Sequence, residues 1–356
     1  MRTVGVEEEF LLFESTSPRP AEVGADVASS ADAGSEDAAQ FEAELKRSQV
    51  EHATEPVRTV AELADQLRSR RRHLVAAARE QDARLVASGT CPVPARSRTA
   101  DKQRYHQMAS RYAEIERRTL TCAMHVHVAV QRGEGPRVLT GIGPWLPVLT
   151  ALSANSPYHD GRDTGYASYR RIIWSEWPTA GPTAPFADEA DYRDTVEALI
   201  ASGAARDEGM IYFDARLSAR FPTVEIRVCD VVPAVEQAAL LAALCRGLVE
   251  RAAAADLAPA ADGGVVRPAR PEIVRAAHWR AARFGLTDSL VLPGATDPVP
   301  AGDAVDALFE HVRRHLGEEA GWVRDHLDRL RERGTGAQLQ RRAGSPEAAV
   351  DAVTVS

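Results

Sequence analysis

Thr121-Cys122-Ala123-Met124-His125-Val126-His127-Val128-Ala129-Val130 alternates with the period of a β-strand. Met124, Val126 and Val128 fall on one face, and His125 and His127 fall together on the other. Two imidazoles side by side on a strand otherwise built of apolar residues admit two readings. They are half-buried groups satisfied by neighbouring carboxylates, or they are ligands, because neutral imidazole binds metals readily. One histidine alone favours the first reading. Two in register favour a metal or phosphate site, and the rest of the chain has to decide.

Working outward, Thr3 to Phe13 reads as a first strand with Glu7 and Glu9 on one face. Glu8 lies on the other, among Val4, Val6, Phe10 and Leu12. Three consecutive acids repel one another unless cations compensate, so Glu7 and Glu9 are candidate cation ligands; a solvated edge strand is the alternative. Phe41 to Glu55 returns to strand alternation, and a hairpin or bend near Arg47 would bring Glu44 beside Glu51. Thr223 to Asp230 repeats the pattern of the histidine strand. Val224, Ile226 and Val228 face one way and Glu225, Arg227 and Cys229 the other. A cross-strand ion pair would explain Glu225 and Arg227 but is worth little by itself.

Together Glu7, Glu9, Glu44, Glu51, His125, His127, Glu225 and Arg227 make a sheet face that cannot cover a dry core. Such a face can hold two or three divalent cations. Oxygen-dominated ligation favours Mg²⁺ or Mn²⁺ over Zn²⁺. Ions between carboxylates, with arginines nearby, suit phosphoryl transfer. The chain has neither a Walker A sequence nor GxGxxG, so no phosphate-cradling loop holds a nucleotide.

At 356 residues, the chain could form one large domain or two. No linker divides it, so residues 1–340 read as a single catalytic domain and 341–356 as a disordered tail. Hydrophobic content of 44% and charged content of 26% are those of a soluble globular protein. A net charge of −8 argues against a nucleic-acid partner or an anionic membrane. No apolar run approaches a membrane span, and the N-terminus enters a strand pattern at once, without a signal peptide. Cys91, Cys122, Cys229 and Cys245 form no CxxC pair and read as reduced packing residues in a cytoplasmic protein.

The remaining pattern supplies helices and one unusual loop. Residues 14–40 read as a mobile loop. Arg58 to Arg84 reads as a helix with Leu63, Leu67, Leu74 and Val75 buried and the Arg68–Arg72 cluster solvated. Leu85 to Ser88 reads as a short strand and Lys102 to Arg118 as a helix. Pro136 to Ala154 reads as a helix kinked at Pro144 and Pro147. Asn155 to Arg170 alternates turn formers with arginine and aromatic residues, a composition suited to ligand recognition. Trp174 and Trp177 are core lids or pocket walls. Met210 to Asp214 reads as a strand. Helices are expected at 188–203, 237–255, 272–284, 303–316 and 319–333.

Several of these stretches resemble a known family. Gly5-Val6-Glu7-Glu8-Glu9-Phe10, Gln49-Val50-Glu51, Met124-His125-Val126-His127-Val128 and Asn155-Ser156-Pro157 are similar to segments of the bacterial type 2 glutamate–cysteine ligases, the YbdK-like carboxylate–amine ligases. So are Thr164 to Arg170, Arg220 to Asp230 and Gly334-Thr335-Gly336-Ala337, and the resemblance spans about residues 2–342. It implies an α+β, glutamine-synthetase-like fold, a curved and mostly antiparallel sheet flanked by helices with the active site on its concave face. It implies ATP- and Mg²⁺-dependent (or Mn²⁺-dependent) amide formation through an acyl phosphate, with glutamate and cysteine as the type substrates. By motif position Glu7, Glu44 and Glu51 would hold one metal and Glu9, His125 and Glu225 another. His127, Arg227 and Tyr166 would contact substrate, and Arg162, Arg170 and Arg220 would stabilise phosphate charge. Ala123 departs from the family, which carries Gly there. The expected partners are an amino-acid carboxylate and an amine, with a homodimer as the assembly.

Two other classes compete. A metal-dependent hydrolase of the amidohydrolase type also uses HxH, but on an early barrel strand followed by regular βα alternation. Here acidic strands precede the histidines and no such alternation follows. A nucleotide-binding protein without turnover would keep the site yet consume no ATP, although every charged position that the mechanism needs is filled.

Overall fold

Alternation on the strands sorts charge to one side of a sheet and β-branched residues to the other. The computed structural model describes residues 1–33, 41–254 and 269–356. The strands are β1 (Val4–Glu14), β2 (Phe41–Ala43), β3 (Gln49–Ala53), β4 (Ala83–Val86) and β5 (Ala123–Ala129). A small hairpin of β6 (Tyr158–His159) and β7 (Arg162–Asp163) follows, then β8 (Ala215–Leu217) and β9 (Thr223–Asp230). A second hairpin pairs β10 (Ser289–Val291) with β11 (Pro298–Pro300).

The main sheet runs β2-β3-β1-β5-β9-β8, with β4 against the end of β1, and every pair in it is antiparallel. This is the expected α+β arrangement, and the histidine strand lies at its centre rather than in a parallel barrel. Glu9 stands opposite Glu51, Glu7 opposite His125, His127 opposite Glu225, and Glu225 opposite Arg216. The polar residues therefore form a diagonal row across neighbouring strands. A bulge between Met124 and Val126 shifts the β5–β9 register by one residue.

Behind the row, Val6, Met124, Val126, Val224, Ile226 and Val228 are buried in one apolar cluster with the helices Gly135–Ile142, Leu146–Ser153 and Val235–Ala254. Each such side chain contributes roughly 1.5–3 kcal/mol by leaving water, enough to oppose the penalty of a charged front face. Two prolines divide the 135–153 stretch as expected. Gly143–Trp145 is a 3-10 turn between two helices, with Pro144 and Pro147 each in a first turn, where a missing N–H costs nothing.

Four expectations are corrected. Residues 14–33 are not simply a loop: Gly24–Ala33 is a helix with Val27, Ala28 and Ala31 buried, while 34–40 lie outside the described residues. Arg70 and Arg71 are buried, not solvated. Arg71 donates from Nε and Nη2 to the Glu8 carboxylate at 2.9 and 2.6 Å, and His52 Nε2 lies 3.1 Å from the same carboxylate. Met210–Asp214 is not a strand; Glu208–Met210 is a 3-10 turn and β8 begins at Ala215. The C-terminus is not disordered. Residue 340 lies inside the helix Gly336–Ala343, and a further helix, Pro346–Ala352, buries Ala349 and Val350, with Val353 buried just beyond it.

All four cysteines are free and buried. Among the described residues no helix is long and apolar enough to cross a membrane.

Candidate active site

The polar face of the sheet is roofed by a separate aromatic layer. Met108, Tyr112, Trp177, Ile211, Tyr212 and Phe213 form their own apolar cluster. Between roof and sheet lies a cavity of about 810 Å³, its open mouth included, a size suited to a small-molecule ligand. Glu7, Glu9, Glu44, Glu51, His125 and Arg227 line one side of it, and Tyr105, Met108, Trp174, Trp177 and Tyr212 the other. Trp174 and Trp177 are thus pocket walls, and Trp177 is also core.

The hairpin between β2 and β3 brings Glu44 back to Glu51, as the sequence suggested. One ligand atom each from Glu9, Glu44 and Glu51 falls within 4.8 Å of the others, as does one each from Glu7, His127 and Glu225. Both histidines therefore face carboxylates, but the groups sort differently from the expected sets: Glu9, not Glu7, joins Glu44 and Glu51. His125 stands between the two sets. Its Nδ1 lies 3.2 Å from Glu7 and 4.0 Å from Glu225, and its Nε2 lies 3.9 Å from Glu9.

The electrostatics of the two sets differ. Burial, reinforced by the facing carboxylates, pushes Glu44 up to about 7 and Glu51 well above its usual range. Burial also raises Glu9, which Arg170, the Ala123 N–H and Arg227 only partly offset. Burial opposes ionisation of Glu7 too, but hydrogen bonds from His125 and His127 hold its carboxyl well below normal. Glu225 is held at about 2, since Arg227 and Arg216 outweigh its burial. Burial and then Arg227 lower His125 to about 4, so its imidazole is neutral and its Nε2 has no hydrogen-bond partner among the described residues. The buried, unpartnered His125 Nε2 lies beside Glu9, which with Glu44 and Glu51 forms an oxygen-dominated cluster that could hold a hard divalent cation. The residues fit the expected Mg²⁺ or Mn²⁺.

Arg227 is clamped over the site. It bonds the Glu225 carboxylate, and its guanidinium lies 5.8 Å from both the Trp174 and Tyr212 ring centroids. Arg170 is buried, lies 5.7 Å from Trp174, and donates from Nη2 to the Arg227 carbonyl at 3.2 Å. Tyr105 escaped sequence reasoning. Its hydroxyl donates to Glu44 at 3.2 Å from the helix Gln103–Tyr112, and a lone aromatic on an amphipathic helix carries no signal of that role.

The sequence profile of glutamate–cysteine ligase family 2 matches residues 3–349. The chain belongs to this family. Family 2 relatives include "Putative glutamate--cysteine ligase 2-1" of Paenarthrobacter aurescens, 42% identical over 351 residues that cover 96% of this chain and 90% of that one. "Putative glutamate--cysteine ligase 2-2" of Frankia alni is 41% identical, covering 99% and 95%. Among solved structures, glutamate–cysteine ligase of Francisella tularensis in complex with AMP superposes with a TM-score of 0.66 at 12% identity, over 99% of this chain and 87% of that one. A bifunctional glutathione synthetase of Pasteurella multocida gives 0.64 at 13% identity, over 99% and 52%. The fold expected from the family 2 resemblance is thus the fold observed.

Three residues that the family 2 resemblance nominated lie away from the carboxylates. Arg162 sits in the β6–β7 hairpin with its side chain 80% exposed and an ion pair to Asp160 at 3.6 Å. The geometry of this chain does not bring it into the cavity. Tyr166 lies outside the cavity wall, under the Arg283 guanidinium and bonded by Trp279 Nε1 at 3.3 Å. Arg220 is exposed in the β8–β9 turn beside Phe221, whose ring meets His127 edge-on at 6.4 Å. Arg220 is therefore at the rim, next to the site but not in its wall. Ala123, where the resemblance led to an expected glycine, is buried, and its N–H donates to Glu9 at 2.7 Å.

Proposed function

We propose that the protein is an ATP-dependent carboxylate–amine ligase, with glutamate as the carboxylate and cysteine or a related amine as the acceptor. The observation that carries this reading is the pair of carboxylate sets on one sheet face, opposed by the buried cations Arg170 and Arg227. Membership of family 2 and the likeness to an AMP-bound ligase support it. The chain, including the helices after residue 334, would act as one catalytic unit.

In this reading Glu9, Glu44 and Glu51 would hold one divalent ion, and Glu7, His127 and Glu225, with His125 between, a second. Bound Mg²⁺ or Mn²⁺ supplies charge neutralisation among the phosphate oxygens. A carboxylate oxygen of the substrate attacks the γ-phosphorus of ATP, the bond to ADP breaks, and an acyl phosphate forms. The amine nitrogen then attacks the acyl carbon, the carbon–oxygen bond to phosphate breaks, and the nitrogen loses a proton. Arg170 stabilises charge on the transferring group, and Arg227 orients the carboxylate. The aromatic roof excludes water, which would otherwise hydrolyse the acyl phosphate.

The test is ADP release with Mg²⁺-ATP and glutamate across a panel of amines including cysteine, with mass spectrometry of the products. Amine-dependent ADP and the matching amide support the proposal. An ATPase rate independent of every amine, or no ATP binding at all, would sink it.

A further inference from the structure

Separated stretches of the chain converge beside Glu9 on a carboxylate to which the ligase reading gives no role. Asp230 ends β9 and is completely buried. Its Oδ2 accepts the Asn155 N–H at 2.9 Å and the Ser156 hydroxyl at 2.7 Å, and its Oδ1 accepts the Ser168 hydroxyl at 2.9 Å. Arg170 Nη1 stands 3.7 Å from Oδ1, within ion-pair range but beyond a hydrogen bond. The Arg170 Nε is buried without a hydrogen-bond partner among the described residues.

The neighbouring residue supplies a contrast. Arg171 grips a second buried carboxylate, Asp214, with two hydrogen bonds that close the pair. A structural ion pair closes in this way, because a buried cation with unused donors is destabilising. Asp230 instead directs its hydrogen-bonding capacity to Asn155, Ser156 and Ser168, and presents Arg170 with charge alone.

A second layer fixes those donors. Gln340 Nε2, from the helix Gly336–Ala343, donates to Asn155 Oδ1 at 2.7 Å and to its carbonyl at 2.9 Å. Asn155 Nδ2 in turn donates to the carbonyls of Ala87 and Val231, both at 2.7 Å. Gly336 packs so closely that a Cβ there would lie 2.1 Å from Asn155 Oδ1.

We infer that Asp230 is a positioning residue that aims Arg170 at the transferring phosphoryl group while taking none of its hydrogen-bond donors, and that Gln340 holds Asp230's own partners in place. The inference rests on the ligase reading above. It makes the helix Gly336–Ala343 part of the active-site support.

The test is a double-mutant cycle on ADP formation by the full chain with wild type, Asp230→Asn, Arg170→Lys and the double variant. Asp230→Asn is expected to lower kcat by about 10–100-fold, the range seen when a partner orienting a site group is lost. KM for ATP and glutamate should stay within about twofold, because Arg170 acts on charge that develops in the transition state. The double variant should be no slower than Arg170→Lys. Multiplying losses, or an unchanged kcat in folded Asp230→Asn, would overturn the inference. If Asp230→Asn does not fold, Ser168→Ala and Gln340→Ala replace it in the same cycle, with the same two outcomes. Wild type that forms no ADP with any amine overturns the ligase reading and this inference with it; active wild type with multiplying losses overturns this inference alone.

Discussion

Glu225→Gln removes one charge and almost no volume, so it separates chemistry from packing. Glu225 is 2% exposed, accepts from Arg216 Nε at 2.7 Å and from Arg227, and lies 4.0 Å from His125 Nδ1. Burial opposes its ionisation, yet Arg227 and Arg216 hold it at about 2 against an ordinary 4.5. At 1.36 kcal/mol per pH unit that difference is about 3 kcal/mol of stability at neutral pH. The sign follows from the lowered folded-state value: the contribution is present above 4.5 and lost as pH falls toward 2. The variant should melt roughly 4 °C lower at pH 7 and remain folded, since domains hold about 5–15 kcal/mol. Turnover should fall at least about 100-fold, because the set loses an anionic ligand and Arg227 loses its counter-charge. Calorimetry and ADP release on one preparation give both numbers. Full turnover would remove Glu225 from the site, and failure to fold would refute the stability figure.

The pH response has a second arm. Glu44 is raised on folding to about 7, so its contribution is present below 4.5 and lost as pH rises through about 7; Glu51, raised well above 4.5 by burial and its carboxylate neighbours, acts in the same direction. Without divalent ions the melting temperature should therefore fall between pH 5.5 and 8, and Mg²⁺ or Mn²⁺ should restore it with proton release; fluorimetric melts insensitive to both would contradict the cation assignment. Tyr105→Phe removes the 3.2 Å bond to Glu44 and should weaken activation by Mg²⁺ about tenfold, read from Mg²⁺ titrations of the rate. Arg162→Ala should change turnover by less than about twofold, since the side chain is exposed and among the described residues pairs only with Asp160; a larger drop in ADP release would bring this hairpin into the site. Deleting residues 345–356 removes buried Val350 and Val353 and should cost about 3–6 kcal/mol, checked by urea unfolding, where an unchanged midpoint would show the segment to be dispensable.

Strand alternation made most of the site legible. Period-2 patterning placed Glu7 with Glu9, His125 with His127, and Glu225 with Arg227, because side-chain direction in a strand is set by the backbone alone. What alternation could not supply was which groups meet across strands. That depends on register and on the β5–β9 bulge, so the two carboxylate sets came out differently partitioned. The loop residues Arg162 and Tyr166 were nominated by motif position, and their side chains follow tertiary packing that no local pattern encodes. Arg71 was a missed signal rather than an absent one. It falls on the same helical stripe as Leu63, Leu67 and Leu74, and a charge on an apolar stripe calls for a buried counter-charge. The last helix was also readable. Ser345 caps it and Pro346 occupies its first turn, but its apolar residues are small and few.

The middle member of the Glu7-Glu8-Glu9 run has a consequence for how the chain finds its native pairing. Glu8 sits opposite Met124 on the apolar side and is neutralised there by Arg71 and His52, while Glu7 and Glu9 face the cavity. A one-residue slip of β1 would turn both outer carboxylates into the layer of Val126 and Ile226, where the Arg71 guanidinium can pair only one of them. The triplet therefore works as a proofreading device during folding. A misaligned β1 leaves one buried carboxylate uncompensated, whereas the native alignment builds the polar row and closes the scaffold behind it.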